Sequence, residues 1–361
     1  MLSRLAGLDI DAMTEHRVTD SVGSEFVEVS PAGIELAEIE EMAKKFGGNI
    51  LKTRLNELNA SADKDEVIQN ALNDKPDGVF YSEYDGPRIK VMYVECDGTG
   101  VPGIRKELEG AKGKQSDGSA KTFEAKIGAV FVVEYTADGK PLLTKSGEIY
   151  RDKKVDYMGT VRKIEDFGPM FYRFVVENRL EDMDAVVFLG DGANWVWNLH
   201  KKYFPYALAG LDLYHATERL NDLQSLLKFG AWGIISGKKQ KFNDECHDLL
   251  KRGKVQDMLD LIDNSRFKPS NSEKFESAMD YFRSNIERMD YGAFSACGIY
   301  VGSGVIEAGC KVIVGNRMKN AGMHWSKDSA EKMINLRCAV RNGAFFDTYI
   351  NKRTDSTKSV A

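Results

Sequence analysis

Cysteine is scarce and poorly placed for scaffolding. The five residues, Cys96, Cys246, Cys297, Cys310 and Cys338, are odd in number, widely spaced and without a Cys-x-x-Cys pair. That pattern speaks against a disulfide framework and against a structural zinc site. Long apolar runs are missing as well. No stretch approaches the ~20 residues that span a bilayer, and the start lacks a basic region followed by an apolar one. A cytoplasmic protein without a membrane partner is expected. No internal repeat of fixed period occurs. A strong net positive charge is also absent: the formal balance is −5 over 361 residues, which by itself argues weakly against a nucleic-acid partner. The distribution argues differently, because residues 1–60 hold 6 Lys/Arg against 11 Asp/Glu and residues 311–353 hold 9 against 3. The acid is concentrated near the N-terminus, and the C-terminal part is suited to face phosphate.

What is present begins with an apolar fraction of 42%, ordinary for a globular chain long enough for one large domain with an insertion or for two domains. Ser30-Pro31 is a helix opening, with serine as N-cap and proline at the first helical position. Ile34, Ile39, Met42, Ala43 and Phe46 follow as an apolar stripe that Gly47-Gly48 ends. Two more helices are expected over 49–58 and 64–72. Strand signals begin at residues 78–81 and resume at 89–96. Residues 103–121 read as an exposed loop, and 127–135 and 155–161 as strands. A helix is expected over 164–179.

The run Val186-Val187-Phe188-Leu189-Gly190-Asp191-Gly192 is apolar on both faces, as a strand buried within a sheet should be, and it ends in an acid and a glycine. Asp191 is therefore expected just past the carboxyl end of a sheet, where open sheets gather their chemistry. An earlier run, residues 89–96, ends likewise in Asp97-Gly98. Two carboxylates at neighbouring strand ends repel, and a divalent cation between them is a common remedy. Residues 194–203 read as a helix and 207–213 as a short strand running into Asp212-Leu213-Tyr214-His215. From 216 to 289 every pattern is helical. Sheet-like residues from Ile299 give way to a helix near Ser303, one turn into which Glu307 supplies a third acid, with Lys311 one turn further on the same face. A last helix is expected over 329–341.

Asp97-Gly-Thr-Gly, Gly190-Asp191-Gly-Ala-Asn-Trp-Val-Trp-Asn, Leu211-Asp212-Leu-Tyr-His215, the helical block and Gly302-Ser-Gly-Val-Ile-Glu307-Ala-Gly-Cys-Lys311 together resemble the DDE transposases of the Kra-type bacterial insertion-sequence family, from about residue 78 to 345. The resemblance implies an α/β, ribonuclease H-like mixed sheet with flanking helices, interrupted by an all-helical insertion and preceded by a helical N-terminal arm. The corresponding divisions are a 1–76 arm, in place of the family's longer helix-turn-helix region, then 77–215 and 291–345 as the two parts of the catalytic core. Residues 216–290 are the insertion, and 346–361 a disordered tail. Asp97, Asp191 and Glu307 match the positions that hold two Mg²⁺ ions, or Mn²⁺ in their place. Asp212 and His215 match an Asp-x-x-His signature that lies near the site outside the metal triad. The implied partners are double-stranded DNA, as transposon ends and target, and a homo-oligomer assembled on that DNA in the nucleoid.

Hard oxygen ligands suit magnesium, and cutting a phosphodiester needs an activated hydroxyl and charge relief at the leaving oxygen. Lys238, Lys239, Lys241, Lys311, Arg317, Lys319, Arg337 and Arg341 are the candidate phosphate contacts, with solvated helix faces as the alternative. Trp195 and Trp197 either stack on an unpaired base or bury their helix against the sheet, and His215 is either catalytic or a hydrogen-bonded structural residue. A nicotinamide site at Gly302-Ser-Gly304 fails on spacing, because the next glycine, Gly309, falls two residues too late. An inactive transposase relic that only binds DNA is the remaining alternative.

Overall fold

The computed structural model describes residues 36–48, 50–73, 78–108, 121–229, 237–265 and 267–343. Helices α1 (Leu36–Phe46), α2 (Ile50–Ala60) and α3 (Lys64–Asn73) come first. Their apolar stripes bury Ile39, Phe46, Leu51 and Leu55 in the same core as the sheet. Phe46 stacks on Tyr206, and Lys52 Nζ donates to the Tyr206 carbonyl at 2.9 Å. The described part of the expected arm is thus packed onto the body of the protein. The opening Ser30-Pro31 and the tail 346–361 lie outside the described residues.

The central sheet contains β1 (Arg88–Pro102), β2 (Thr122–Thr136), β3 (Arg151–Thr160), then α4 (Ile164–Glu177), β4 (Ala185–Gly190), α5 (Asn194–Tyr203) and β5 (Leu208–Leu211). Its strand order is β3-β2-β1-β4-β5. The β1–β2 and β2–β3 pairs are antiparallel, whereas β4 joins β1 and β5 joins β4 in parallel. Parallel neighbours need a crossover, and α4 and α5 provide the crossovers on one face. Every residue of β4 is buried, as its apolar run predicted, because helices cover both sides.

Trp197 packs on Phe188, and Trp195 meets Phe167 edge to face, so these tryptophans bury α5 instead of offering a stacking platform. The crossover helix α4 ends at Glu177, short of the expected 179, with Arg179 in the left-handed region at φ 64.

Helices α6 (Leu213–Ser225), α7 (Lys238–Lys251), α8 (Val255–Asp263) and α9 (Ser272–Asn285) form the insertion. Leu220, Leu223, Leu250, Met258, Leu259, Ile262, Met279 and Phe282 are buried among them. The block is not purely helical: Leu227–Lys228 and Lys268–Pro269 pair as a short antiparallel ladder. Its first helix begins earlier than expected, because Asp212 already caps it. Then come α10 (Tyr291–Ala296), α11 (Gly304–Cys310), a π turn at Lys311–Gly315, a single helical turn at Asn316–Met318, and α12 (Lys327–Arg341). Residues 299–301 form no strand, since their backbone groups bond to the Tyr93 hydroxyl and to Leu213 N instead of to a sheet edge. No helix among the described residues is long and apolar enough to cross a membrane.

Candidate acidic site at the carboxyl end of the parallel strands

Register places the acids. Glu95 pairs with Leu189 across β1 and β4, and Gly190 with Leu211 across β4 and β5. Continuing each ladder sets Asp97, Asp191 and Asp212 side by side on three adjacent chains, just where β4 and β5 stop. One expectation needs correcting: Asp97 is not at a strand end. It pairs with Ile127, and β1 runs on to Pro102 because its antiparallel partner β2 continues past the point where β4 has stopped.

Alternation puts Tyr93, Glu95, Asp97 and Thr99 on one face of β1. The returning chain is laid along that face by four contacts in sequence. Tyr300 N donates to the Tyr93 hydroxyl at 3.0 Å and Ile306 N to Glu95 Oε2 at 2.8 Å. Cys310 Sγ approaches Asp97 Oδ2 at 3.6 Å, and Lys319 Nζ donates to Thr99 Oγ1 at 2.7 Å. Glu307 lies between the second and third of these contacts. Gly309 permits the close approach, since a Cβ there would meet the Tyr157 ring at 2.5 Å. On the same side, α12 is tied to β3 by Glu331, which accepts from Thr160 Oγ1 at 2.8 Å and Val161 N at 2.7 Å.

Asp191 Oδ1 accepts from Ala193 N at 2.9 Å, the turn expected of Asp-Gly, and Gly192 takes φ +94. The insertion clamps this loop, because Tyr281 of α9 donates to the Asp191 carbonyl at 3.0 Å and its ring occupies the space a side chain at 192 would need. Asp97 Oδ1 accepts from its own Gly98 N at 2.6 Å. Burial raises the Asp97 pKa and the Asp191 charge adds to it, with the Gly98 N–H and Cys310 acting in the opposite direction.

Asp212 is fully buried and spends both oxygens within the protein. Oδ1 accepts from His215 N at 2.7 Å and pairs with His215 Nδ1 at 2.9 Å, while Oδ2 accepts from Ser303 N at 2.6 Å. Burial pushes its carboxyl up, but these bonds outweigh burial and hold its pKa below the ordinary value. The same bond to Asp212 raises His215, against burial, with Asp191 and Glu307 adding to the rise. Ser303 Oγ donates to Glu307 Oε1 in a short contact.

Asp212, His215 and Glu307 bring ligand atoms within 4.8 Å of one another. Geometry alone would make them a metal trio, but Asp212 is fully buried and both its oxygens already accept hydrogen bonds, so it is better read as the support of His215 and Ser303. The Asp97–Asp191–Glu307 set is not drawn equally tight, because Glu307 is held toward Ser303. Asp97 and Asp191 nevertheless feel one another's charge, and His215 feels both Asp191 and Glu307. All five therefore share one electrostatic neighbourhood.

Glu95 escaped the sequence reading. It is fully buried, with Oε2 on Ile306 N and Oε1 without a partner, and burial, helped by the Asp212 charge, lifts its pKa to about 8. Its place two residues before Asp97 was the available signal, since i and i+2 share a strand face.

The candidate phosphate contacts fall into three groups. Lys311 and Lys319 are exposed beside the acids, and Arg341 is exposed at the end of α12. Lys238, Lys239 and Lys241 are exposed in the first turn of α7, and Arg317 is half-buried with its guanidinium 5.9 Å from the Trp325 ring centroid. Arg337 does not belong with them: it is buried, and its Nε donates to the Val312 carbonyl at 3.0 Å, which pins the π turn to α12.

The chain is similar to a UPF0236 protein in the vanSb 3′ region of Streptococcus gallolyticus, 28% identical over 141 residues, which spans 39% of this chain and 29% of that relative. No family model matches the chain, and no solved structure matches it.

Proposed function

We propose that the chain is a DDE transposase with a ribonuclease H-like core, which cleaves DNA at the ends of an insertion sequence and joins them to a target. The observation that carries the reading is the return of the chain along β1. It brings Glu307, more than a hundred residues from Asp191 in sequence, back between the contacts made to Glu95 and Asp97. A sheet of two antiparallel and two parallel pairings, with acids gathered past the ends of β4 and β5, supports the same reading.

The donor set fits a divalent cation. Asp97, Asp191 and Glu307 offer hard oxygen atoms, and the first two raise each other's energy when no cation is between them. Bound Mg²⁺, or Mn²⁺ in its place, would supply Lewis-acid charge at the scissile phosphate and a more acidic attacking hydroxyl. Asp97, Asp191 and Glu307 would hold it. Asp212 aims the His215 ring and favours its protonated form, in which Nδ1–H faces Asp212 and Nε2–H is left to donate to a phosphate oxygen. Lys319 and Lys311 lie where the backbone of the bound strand would pass.

The direct test is nicking of supercoiled plasmid carrying the DNA that flanks the gene. Cleavage is expected with Mg²⁺ and none with chelator; cleavage indifferent to chelator would reject the carboxylate site.

A further inference from the structure

Two side chains at the end of the insertion grip the segment that carries Asp191. Tyr281 of α9 donates to the Asp191 carbonyl at 3.0 Å, and its ring closes over the buried Gly192. Arg288, in the turn Ile286–Arg288 that follows α9, sets its guanidinium 4.4 Å from the Trp197 ring centroid. Trp197 in turn lies against Gly190, where a Cβ would meet its ring at 3.4 Å. The residues on both sides of Asp191 are therefore held, one by Tyr281 directly and the other through Trp197 and Arg288.

The two grips are tied into one unit. Asn285, 4% exposed, donates from Nδ2 to the Tyr281 carbonyl at 2.8 Å, and its Oδ1 accepts from Arg288 Nη1 at 3.0 Å. A buried asparagine that uses both ends of its amide in this way fixes the spacing between Tyr281 and Arg288. Arg219 of α6 stands 5.5 Å from the Tyr281 ring centroid, so a second helix of the insertion steadies the ring. The carboxylate of Asp191 is oriented by the loop itself, since Oδ1 accepts from Ala193 N. A side chain tied to its own loop goes where the loop goes. Oxygen ligands sit at about 2.0–2.1 Å from Mg²⁺ with little tolerance, so a small displacement of that loop weakens binding.

We propose that Tyr281, Asn285 and Arg288 are positioning residues through which the docked insertion sets the Asp191 carboxylate for a divalent cation. The inference rests on the reading of Asp97, Asp191 and Glu307 as a cation site, and it gives the insertion a part in that site. By linkage, docking of the insertion tightens the cation, and the cation tightens the docking by the same factor.

The test titrates the full chain with Mn²⁺ in the absence of DNA, with free Mn²⁺ read from its electron paramagnetic resonance signal. The site counted is the Mn²⁺ binding that Asp191→Asn removes. Tyr281→Phe keeps the ring over Gly192 and deletes only the bond to the Asp191 carbonyl. It is expected to weaken that binding about tenfold, the lower end of what groups one shell out from a metal contribute. The melting temperature should fall by no more than about 2–4 °C, the size of one lost hydrogen bond in a chain this long. Arg288→Gln keeps a donor for Asn285 and removes the cation over Trp197, so it should weaken the binding several-fold, and it carries the test if Tyr281→Phe does not fold. Wild-type Mn²⁺ affinity in either folded variant would overturn the positioning role and leave the carboxylate site standing. Absence of any Mn²⁺ binding that Asp191→Asn removes would overturn both.

Discussion

Replacing Glu95 with glutamine should make the metal-free protein more stable, and increasingly so as pH rises. The side chain is fully buried between β1 and α11, and burial lifts its pKa from 4.5 to about 8. An acid with a raised folded-state pKa binds its proton more tightly folded than unfolded. Its contribution is complete below pH 4.5 and is lost as pH climbs through about 8. At about 1.36 kcal/mol per unit, the whole span is worth about 4–5 kcal/mol. Glutamine cannot ionise, yet its Oε1 can accept the same bond from Ile306 N. Wild type and Glu95→Gln should therefore be close in stability near the bottom of that window and separate by about 1.4 kcal/mol per pH unit above it. Urea unfolding with chelator at about pH 5, 7 and 9 measures the separation. Parallel pH profiles, or a glutamine variant less stable than wild type at the alkaline end, would refute the view that Glu95 is a buried, proton-holding support beneath the site.

Four further outcomes are expected. Burial lowers His200 to about 4 against its bond to the Ala207 carbonyl, so its neutral form stabilises the fold above pH 6.5 and that stability is lost as pH falls toward 4. In the Glu95→Gln background the loss should reach about 3 kcal/mol in urea titrations and be absent when His200 is replaced by phenylalanine. Asp212→Ala should cost about 3–5 kcal/mol by the same assay, because it strips partners from His215 and Ser303 at once. Binding to duplex DNA should fall steeply between about 50 and about 200 mM salt. Lys311→Gln and Lys319→Gln should each lower the slope of log affinity against log salt by about one, while Arg337→Gln should lower the melting temperature instead. The triple change of Lys238, Lys239 and Lys241 to glutamine should weaken binding across unrelated sequences without loss of folding, and unchanged affinity would leave α7 a structural role only.

Much of the fold was legible because period and punctuation agreed. The unbroken apolar run of β4 announced a strand buried on both faces, and the two Asp-Gly signals marked Asp97 and Asp191. The same signal misled at Asp97, where Asp-Gly-Thr-Gly lies inside a ladder. A strand whose parallel neighbour ends can still continue on an antiparallel one, and nothing local in the sequence records that. Arg337 looked like surface charge because burial depends on the partner, here a carbonyl of the π turn, which composition does not reveal. Glu95 was hidden for the same reason: an acid in an alternating strand reads as solvent-facing until the chain from Tyr300 to Lys319 is known to lie over it. The insertion was legible as helices, but its clamp on the Asp191 loop through Tyr281 joins residues ninety positions apart.

The central claim is that Asp97, Asp191 and Glu307 act together on DNA, and strand cleavage with Mg²⁺ by purified, folded Asp97→Asn, Asp191→Asn and Glu307→Gln measures it most directly. Each substitution keeps the shape and removes a charged oxygen donor, and each should abolish nicking and joining while the melting temperature stays near or above that of the wild type. Wild-type cleavage in any one of the three would remove that residue from the site, and cleavage by all three would contradict the claim outright.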